Sequence, residues 1–555
     1  MKRILLLLHT LRFLKIKQLV YRVYYRLRKP RLKSLSEPKL RGALSAWQGA
    51  VFLSPATNDG ETFTFLGETG DLTRGWNNPN FSKLWLYNLH YQDDLNAIDA
   101  DARFTLCRQL VDGWIAANPP LQGNGWEPYC ISLRVVNWVK WISRLKPEEV
   151  KPEWVEWLAS QVDALDQQLE HHILANHLFA NAKALVFAGV FFGGQQGDYW
   201  LHKGLKLLDQ EVAEQFLADG AHYELSPMYH AILLWDLADL ICLQQNSKMP
   251  VLQQRAGEWK LRFAVGMQWL QSMVHPDQNL SFFNDATLGI APTLSNLAGY
   301  AEYLTLEVPV ATAVSQLQGR LLVASGYAVV DWPANHRLIA DVACVGPDYQ
   351  PGHAHADTLS CELSLFGQRV LVNSGISQYG EDAERHRQRS TATHNTLEVD
   401  GENSSEVWAG FRVARRAIPL GVDMRQGDEH VVLNASHDGY RRLAGNVTHQ
   451  RKWLAEPASL TITDELSGRY THAVAYWHLH PDITLQWLGD ASFKLILPQK
   501  KTAKLHILGA DVEVCEGTWH PGFGKSISNQ KLVLKLSGHT LMTQIEWSSD
   551  CESCF

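Results

Sequence analysis

Between about residues 80 and 317, apolar positions recur at three- and four-residue spacing. The clearest runs lie near 103–118, 130–145, 153–171, 175–192, 198–217, 227–246 and 256–275, and each predicts a helix. Proline and glycine mark the breaks, as at Asn118-Pro119-Pro120 and Gly193-Gly194. The stretch from Ala231 to Leu243 has only Asp236 and Asp239 as strongly polar positions, so its helix should be buried on more than one side, as in an array of helical hairpins. After about residue 321 the period changes. Short runs rich in Val, Ile, Leu and Thr at 327–332, 337–344, 358–365, 369–373, 430–433, 460–464, 473–478 and 532–536 are separated by Gly, Asn, Asp and Pro, the spacing of an antiparallel sandwich. Helices followed by strands, not alternating with them, predict a multidomain α+β chain. The expected division is a basic helix and extended lead-in over 1–75, a helical domain over 76–320 and a β-sandwich over 321–555, with a cleft between the last two as the natural place for a site.

Composition sharpens this picture in three places. A chain of 555 residues with 46% hydrophobic and 20% charged residues fits a soluble globular protein of two or three domains. Residues 1–33 hold eleven Lys/Arg and no acid; setting those eleven aside from 51 leaves 40 basic against 58 acidic residues in the rest. That acidic body would not attract a polyanion by its overall field, so no nucleic-acid partner is expected, and an acidic glycan would need cations inside a cleft. The eight cysteines are scattered, with a single C-x-x-C at Cys551 and Cys554, which predicts buried or free thiols in a reducing compartment.

Ile4 to Leu8 follows Lys2 and Arg3 as in a secretion signal, but His9, Arg12, Lys15 and Lys17 interrupt it and no small-residue cleavage site follows. The expected location is therefore cytoplasmic or associated with the inner membrane, the alternative being periplasmic. Residues 3–29 read as a basic helix with Leu, Phe and Tyr on its other side: either a peripheral membrane-surface element or a helix packed on the body with its charges in water.

The chemistry concentrates in four segments. In Pro351-Gly352-His353-Ala354-His355-Ala356-Asp357, residues two apart point to one side of an extended chain, so His353 and His355 can address one site. Thr393-His394-Asn395-Thr396 precedes another apolar-alternating run, and Tyr379, Arg385, Arg387 and Arg389 lie between the two clusters. In the helical half, Ala175-Asn176-His177-Leu178 opens a helix with two polar side chains. The polar stretch from Asp219 to His230 leads into another, where Ser226 fits an N-cap, Pro227 the first helical position, and Tyr229 the first turn.

Together these segments resemble the heparinase II/III superfamily, bacterial polysaccharide lyases built as an incomplete (α/α) toroid of helical hairpins followed by an antiparallel β-sandwich. The resemblance runs from about residue 75 to the C-terminus. It also takes in Arg74-Gly75-Trp76, Trp126-Glu127-Pro128-Tyr129 and Arg134 through Trp138. It implies cleavage of a uronate-containing glycan by β-elimination. Without a clear cleavable signal at the N-terminus, the cell's own capsule, O-antigen or exopolysaccharide is as much an expected substrate as a foreign glycan. By similarity, Tyr229 is the general acid, or both acid and base, and His353 the base or its partner. Asn176, helped by His177, would bind the uronate carboxyl group. Arg385 or Arg389 would lower the Tyr229 pKa. Arg134 would clamp a carboxylate or sulfate, and Trp126, Glu224, Tyr379, Arg385 and Arg389 complete the expected substrate contacts. The family's metal positions match His355, Asn373 and His394, which implies a structural zinc and no organic cofactor. Asparagine replaces the usual aspartate at 373, which should weaken zinc binding; Asp357 could compensate, or instead orient a ring nitrogen.

Three other functions fit parts of the pattern. One is a metal-dependent hydrolase on His353, His355, His394 and Asp357. Another is a glycoside hydrolase using Glu127 and Glu224. The third is a non-catalytic glycan-binding protein.

Overall fold

The computed structural model describes residues 2–32, 38–309 and 313–548. Two N-terminal helices, α1 (Lys2–Leu11) and α2 (Ile16–Leu27), precede the helical domain. That domain comprises α3 (Lys83–Tyr91), α4 (Phe104–Ala117), α5 (Pro128–Ile142), α6 (Pro152–Asp166), α7 (Ala175–Phe191), α8 (Gly194–Gln215), α9 (Pro227–Gln245), α10 (Pro250–Ser272) and α11 (Leu294–Tyr303). Proline occupies the first turn of α5, α6, α9 and α10, where its missing N–H has no helical partner to lose. Ser226 caps α9 as its sequence suggested, accepting from the Tyr229 N–H.

The inner helices α7 and α9 are buried almost all round, as the apolar run in α9 required. Helices α7 and α8 cross at glycines. A Cβ on Gly189 would lie 2.5 Å from the Leu201 Cα, and one on Gly204 would lie 2.8 Å from the Leu185 Cβ. The notch that these residues leave is what lets the two backbones meet.

Besides two short two-stranded ribbons, the described strands form three larger antiparallel sheets. A meander of Gln318–Leu322, Tyr327–Trp332, His336–Asp341, Cys361–Leu365 and Gln368–Leu371 lies against the helical domain. There Tyr327, Val329 and Ile339 pack on Ala221, Leu225, Trp269 and Phe283. An eight-stranded sheet and a four-stranded sheet (Ala510–Trp519, Ile527–Leu536, Ala473–His478, Leu397–Val399) bury their facing sides in a common core around Trp453, Trp477 and Leu541. The chain is thus a helical toroid followed by an antiparallel sandwich. A short helix, α12 (Ala383–Gln388), sits in the loops that face the helical domain. The six described cysteines are free, four of them buried; Cys551 and Cys554 lie outside the described residues.

A buried ion pair holds the sandwich beneath those loops. Arg451 donates to both oxygens of Asp464, at 2.6 and 3.0 Å, while the same guanidinium reaches the carbonyls of Leu359 and Asn395. Burial alone would raise the Asp464 pKa, but Arg451 and His449 outweigh it and hold it at about 2. A depressed carboxylate gives stability above its ordinary value of 3.8 and loses it as pH falls toward 2. Acid unfolding followed by circular dichroism should therefore steepen in that window. An Asp464→Asn variant, less stable at neutral pH, should lack that share of the acid loss.

Candidate active site

The sequence-predicted residues meet around an aspartate that sequence reasoning missed. Asp285 lies in the irregular stretch between α10 and α11, fully buried, just after Asn284, whose φ is +57°. One carboxylate oxygen faces His353 Nδ1 at 2.9 Å and the other faces His355 Nε2 at 2.8 Å. Arg385 of α12 donates to both oxygens, at 2.5 and 2.7 Å. The backbone closes the arrangement: Asp285 N–H donates to the His353 carbonyl and His355 N–H to the Asn284 side-chain oxygen. His353 and His355 share a site from a loop, as their spacing suggested, and what they share is Asp285. Burial would raise the Asp285 pKa; Arg385 and the hydrogen bonds from the two histidines hold it well below the usual carboxylate range.

An anionic Asp285 settles a tautomer. A carboxylate only accepts, so His353 carries its proton on Nδ1 and leaves a lone pair on Nε2. The Tyr229 ring stacks on that imidazole at 3.8 Å between centroids, and its hydroxyl lies 2.9 Å from the Tyr379 hydroxyl. Ser226 couples the two halves. Its hydroxyl donates to the Asp285 carbonyl at 2.6 Å while capping the helix that carries Tyr229. Arg385 couples to Tyr229 but does not set its pKa, because its charge is paired with Asp285 and burial outweighs it. Burial, with Tyr379 and Asp285 adding to it, raises the phenol well above its ordinary value. Tyr229 therefore rests as a neutral proton donor.

Helix α7 brings the third element through a strained turn. Leu174 and Ala175 have φ of +72° and +54°, a conformation that costs roughly 1–2 kcal/mol per non-glycine residue. A buried bond from the Gln215 side-chain amide to the Ala175 carbonyl, at 2.9 Å, helps hold them there. This turn aims the Asn176 N–H at Glu224, whose other near neighbours are His353 Nε2 at 3.5 Å and His222 Nε2 at 3.9 Å. His177 pairs with Glu170 at 2.9 Å and stacks on Tyr129. Burial opposes its charge, but Glu170 more than offsets that and raises its pKa.

A cavity of about 770 Å3 in the helical domain is lined by Tyr129, Tyr229, Trp235, Tyr379, Lys140 and Lys183, among others. Its cations are already matched. Lys140 lies 2.6 Å from Asp239, Lys183 lies 2.6 Å from Asp236 and 2.5 Å from Asp239, and Arg144 pairs with Asp101 at 3.0 Å.

Several expected substrate contacts are corrected by burial. Arg134 is fully buried, donates to Gln161 and to the carbonyls of His90 and Gly125, and stacks over Trp114. It is a structural brace. Trp126 is buried and bonded to the Asn118 carbonyl. Arg389 is buried on the carbonyls of Ala354 and Gly410, holding the His353 loop without touching the cavity. Glu224 sits buried beside His353. Of that expected set, Tyr379 alone lines the cavity.

The metal position also shifts. The Asn373 oxygen accepts from the Asn395 N–H and its amide donates to the Phe282 carbonyl, so it is committed to the backbone. Among the described residues, His355, Asp357 and His394 form the group that could hold a cation, with ligand atoms within 4.8 Å of one another. The tautomers favour one. His355 must place its proton on Nε2, facing Asp285, and His394 must place its proton on Nδ1, facing the Ser390 carbonyl at 2.7 Å. Two lone pairs are then left opposed at 3.0 Å, His355 Nδ1 against His394 Nε2. Only a proton or a metal between them relieves that. Burial lowers both pKa values, that of His355 to about 4, which works against the proton.

Comparison with known proteins agrees with this architecture. The family described as Heparinase II/III N-terminus matches residues 105–307, and that described as Heparinase II/III-like, C-terminal, matches residues 316–548. The heparin-sulfate lyase of Pedobacter heparinus is 25% identical over 268 residues, 45% of this chain and 40% of that protein. The heparin-sulfate lyase of Bacteroides thetaiotaomicron is 25% identical over 342 residues, 53% of this chain and 48% of that protein. The chain thus spans about half or less of the curated relatives it matches. The crystal structure of heparinase III superposes with a TM-score of 0.70 at 16% identity, covering 95% of this chain and 89% of that one. The Pedobacter heparinus heparan sulfate lyase HepC, in a mutant form, gives 0.63 at 19% identity, covering 96% and 88%. With both family regions matched in order along the helical and the β portions, the chain belongs to the heparinase II/III family.

Proposed function

We propose that this protein is a polysaccharide lyase that cleaves a uronic-acid-containing glycan by β-elimination. The observation that carries the reading is the paired state of the central residues. Asp285 leaves a lone pair on His353 Nε2, and stacked against that ring stands the neutral, proton-bearing Tyr229. One group is ready to take a proton and the other to give one.

In the reaction, His353 Nε2 removes the proton on C5 of the uronate. The C5–H electron pair becomes the C4–C5 double bond, the C4–O4 bond breaks, and the Tyr229 hydroxyl protonates the departing O4. Charge builds on the uronate carboxyl group as C5 loses its proton. His177, whose pKa Glu170 raises against the effect of burial, and Asn176 would offset it from the α7 side, with electrostatic stabilisation acting only as that charge develops. Asp285 and Glu224 lie 2.9 and 3.5 Å from the two ring nitrogens of His353, on either side of the ring that takes the proton. A metal held by His355, Asp357 and His394 would be zinc, given two imidazoles and one carboxylate, and would brace Asp285 through His355. A chelator should then lower the melting temperature, and zinc at about a hundred times its Kd should restore roughly 3 kcal/mol. An unchanged melting curve in both arms would remove the metal from the account.

The cavity argues for a lightly sulfated or unsulfated polymer. Lys140, Lys183 and Arg144 each already face a carboxylate, leaving little positive charge for a densely sulfated chain. A capsule, O-antigen or exopolysaccharide fits better than heparin. The test is to incubate the protein with a panel of uronate polymers and follow the ultraviolet absorbance of an unsaturated uronyl end. Its appearance supports the reading. New reducing ends without that absorbance would indicate a hydrolase, and no cleavage of any polymer would favour a glycan-binding role.

A further inference from the structure

Helix α2 is inside out. Its inner face, toward the body, carries Gln18, Tyr21 and Tyr25. Gln18 is fully buried and donates to the carbonyls of Tyr349 and Ile173, while the Tyr25 hydroxyl donates to the Leu169 carbonyl. Its outer face carries Ile16, Leu19, Val20, Val23, Tyr24 and Leu27, spaced three and four apart as one stripe. These are exposed, Ile16 by 79%, Val23 by 59% and Leu27 by 83%. Helix α1 repeats the pattern with Ile4, Leu7, Leu8 and Leu11, with Ile4 exposed by 65%. Scattered exposed leucines need no explanation, but two adjacent helices whose outward stripes are apolar do.

The fold does not leave these helices loose. Lys15 pairs with Glu214, Thr10 accepts from the Trp408 indole N–H, and the Arg416 guanidinium lies 3.9 Å over the Phe13 ring. The two helices are therefore held on both domains. They touch the segment that leads to Asn176 (Leu169 to Ile173) and the one that leads to His353 (Tyr349). The stripe is presented by a docked element with its polar groups inward.

Charge decides what covers it. Residues 1–33 carry eleven Lys/Arg and no acid on a chain that is otherwise acidic. By helical position, Lys17 and Arg28 border the α2 stripe on one side and Arg22 and Arg26 on the other. Apolar side chains bordered by cations match an anionic lipid bilayer, where the stripe enters the acyl boundary and the cations meet the headgroups. Among the described residues no helix is long and apolar enough to cross a membrane, so the element would lie on the surface.

We propose that α1 and α2 form a peripheral docking surface for anionic membranes. This stands on these two helices alone and does not depend on the lyase reading. The experiment is co-sedimentation of the full-length protein with vesicles of phosphatidylcholine, or of phosphatidylcholine and phosphatidylglycerol in a two-to-one mixture. The protein should pellet with the anionic vesicles and stay in solution with the neutral ones. A Val20→Asp/Val23→Asp variant, altered only at exposed positions, should keep its melting temperature and bind about tenfold more weakly or worse. Lys17→Glu/Arg26→Glu should weaken binding likewise, and raised salt should reproduce that loss. Failure to bind anionic vesicles would overturn the proposal. So would binding that the Asp pair leaves unchanged. A dimer of the parent protein that the Asp pair dissociates, with no vesicle binding, would assign the stripe to a second copy instead.

Discussion

A Tyr229→Phe variant should fold, bind its polysaccharide and turn it over about 10²- to 10⁴-fold more slowly, the usual contribution of a positioned proton donor. The substitution removes one oxygen. That oxygen contacts the Tyr379 hydroxyl, so the stability cost should be about 1 kcal/mol. The ring that stacks on His353 stays in place. The loss should therefore appear in kcat with KM unchanged, while the melting temperature falls by no more than about 2–4 °C. Steady-state kinetics beside a thermal melt checks this, and a variant within tenfold of the parent would remove Tyr229 from the proton transfer. Because burial holds the phenol well above its ordinary pKa, the lyase reading assigns it the acid role.

The second large effect is at Asp285. Asp285→Asn leaves Arg385 buried without its counterion, and breaking a buried pair by removing one partner costs roughly 3–5 kcal/mol. It also ends the arrangement that keeps the His353 proton on Nδ1. An amide can offer an N–H to one histidine and an oxygen to the other, so one imidazole loses its orientation or its tautomer. A wrong tautomer on the base costs up to about 10⁴ in turnover in enzymes organised this way. The folded fraction of Asp285→Asn should thus be both less stable and nearly inactive. A variant of lowered melting temperature with parental kcat would show that Asp285 is a structural counterion and does not position His353.

How far these residues were legible in the sequence follows from how local their roles are. The α9 cap could be read because Ser226, Pro227 and Tyr229 interact within one turn. The two-histidine loop could be read because its residues are near neighbours in the chain. Asp285 could not. It lies in an aperiodic stretch, and its partners His353, His355 and Arg385 stand 68, 70 and 100 residues away. The one available signal was a Phe-Phe-Asn-Asp run just before the helix at Leu294.

Arg134 was misread for a different reason. A planar fork suited to a substrate carboxylate suits backbone carbonyls equally well, and only its burial separates the two. Asn373 follows the same logic. Its position in a metal motif is visible in the sequence, but both ends of its amide are taken by Asn395 and Phe282, and Asp357 stands beside the histidines instead. For residues 3–29 the sequence left open a packed helix or a membrane element. The structure packs a polar face on the body and leaves an apolar face outward, and the membrane proposal rests on that face.

The choice between the lyase and the hydrolases rests on whether water enters the product. Glu127 does not help a two-carboxylate hydrolase, since it bonds Tyr87 and pairs with Lys83 at 2.9 Å. The direct measurement is to cleave the polymer in water labelled with heavy oxygen and weigh the fragments by mass spectrometry. Elimination through His353 and Tyr229 predicts no label, and a new non-reducing end lighter by one water than the hydrolytic fragment. One labelled oxygen for each bond cut would contradict it.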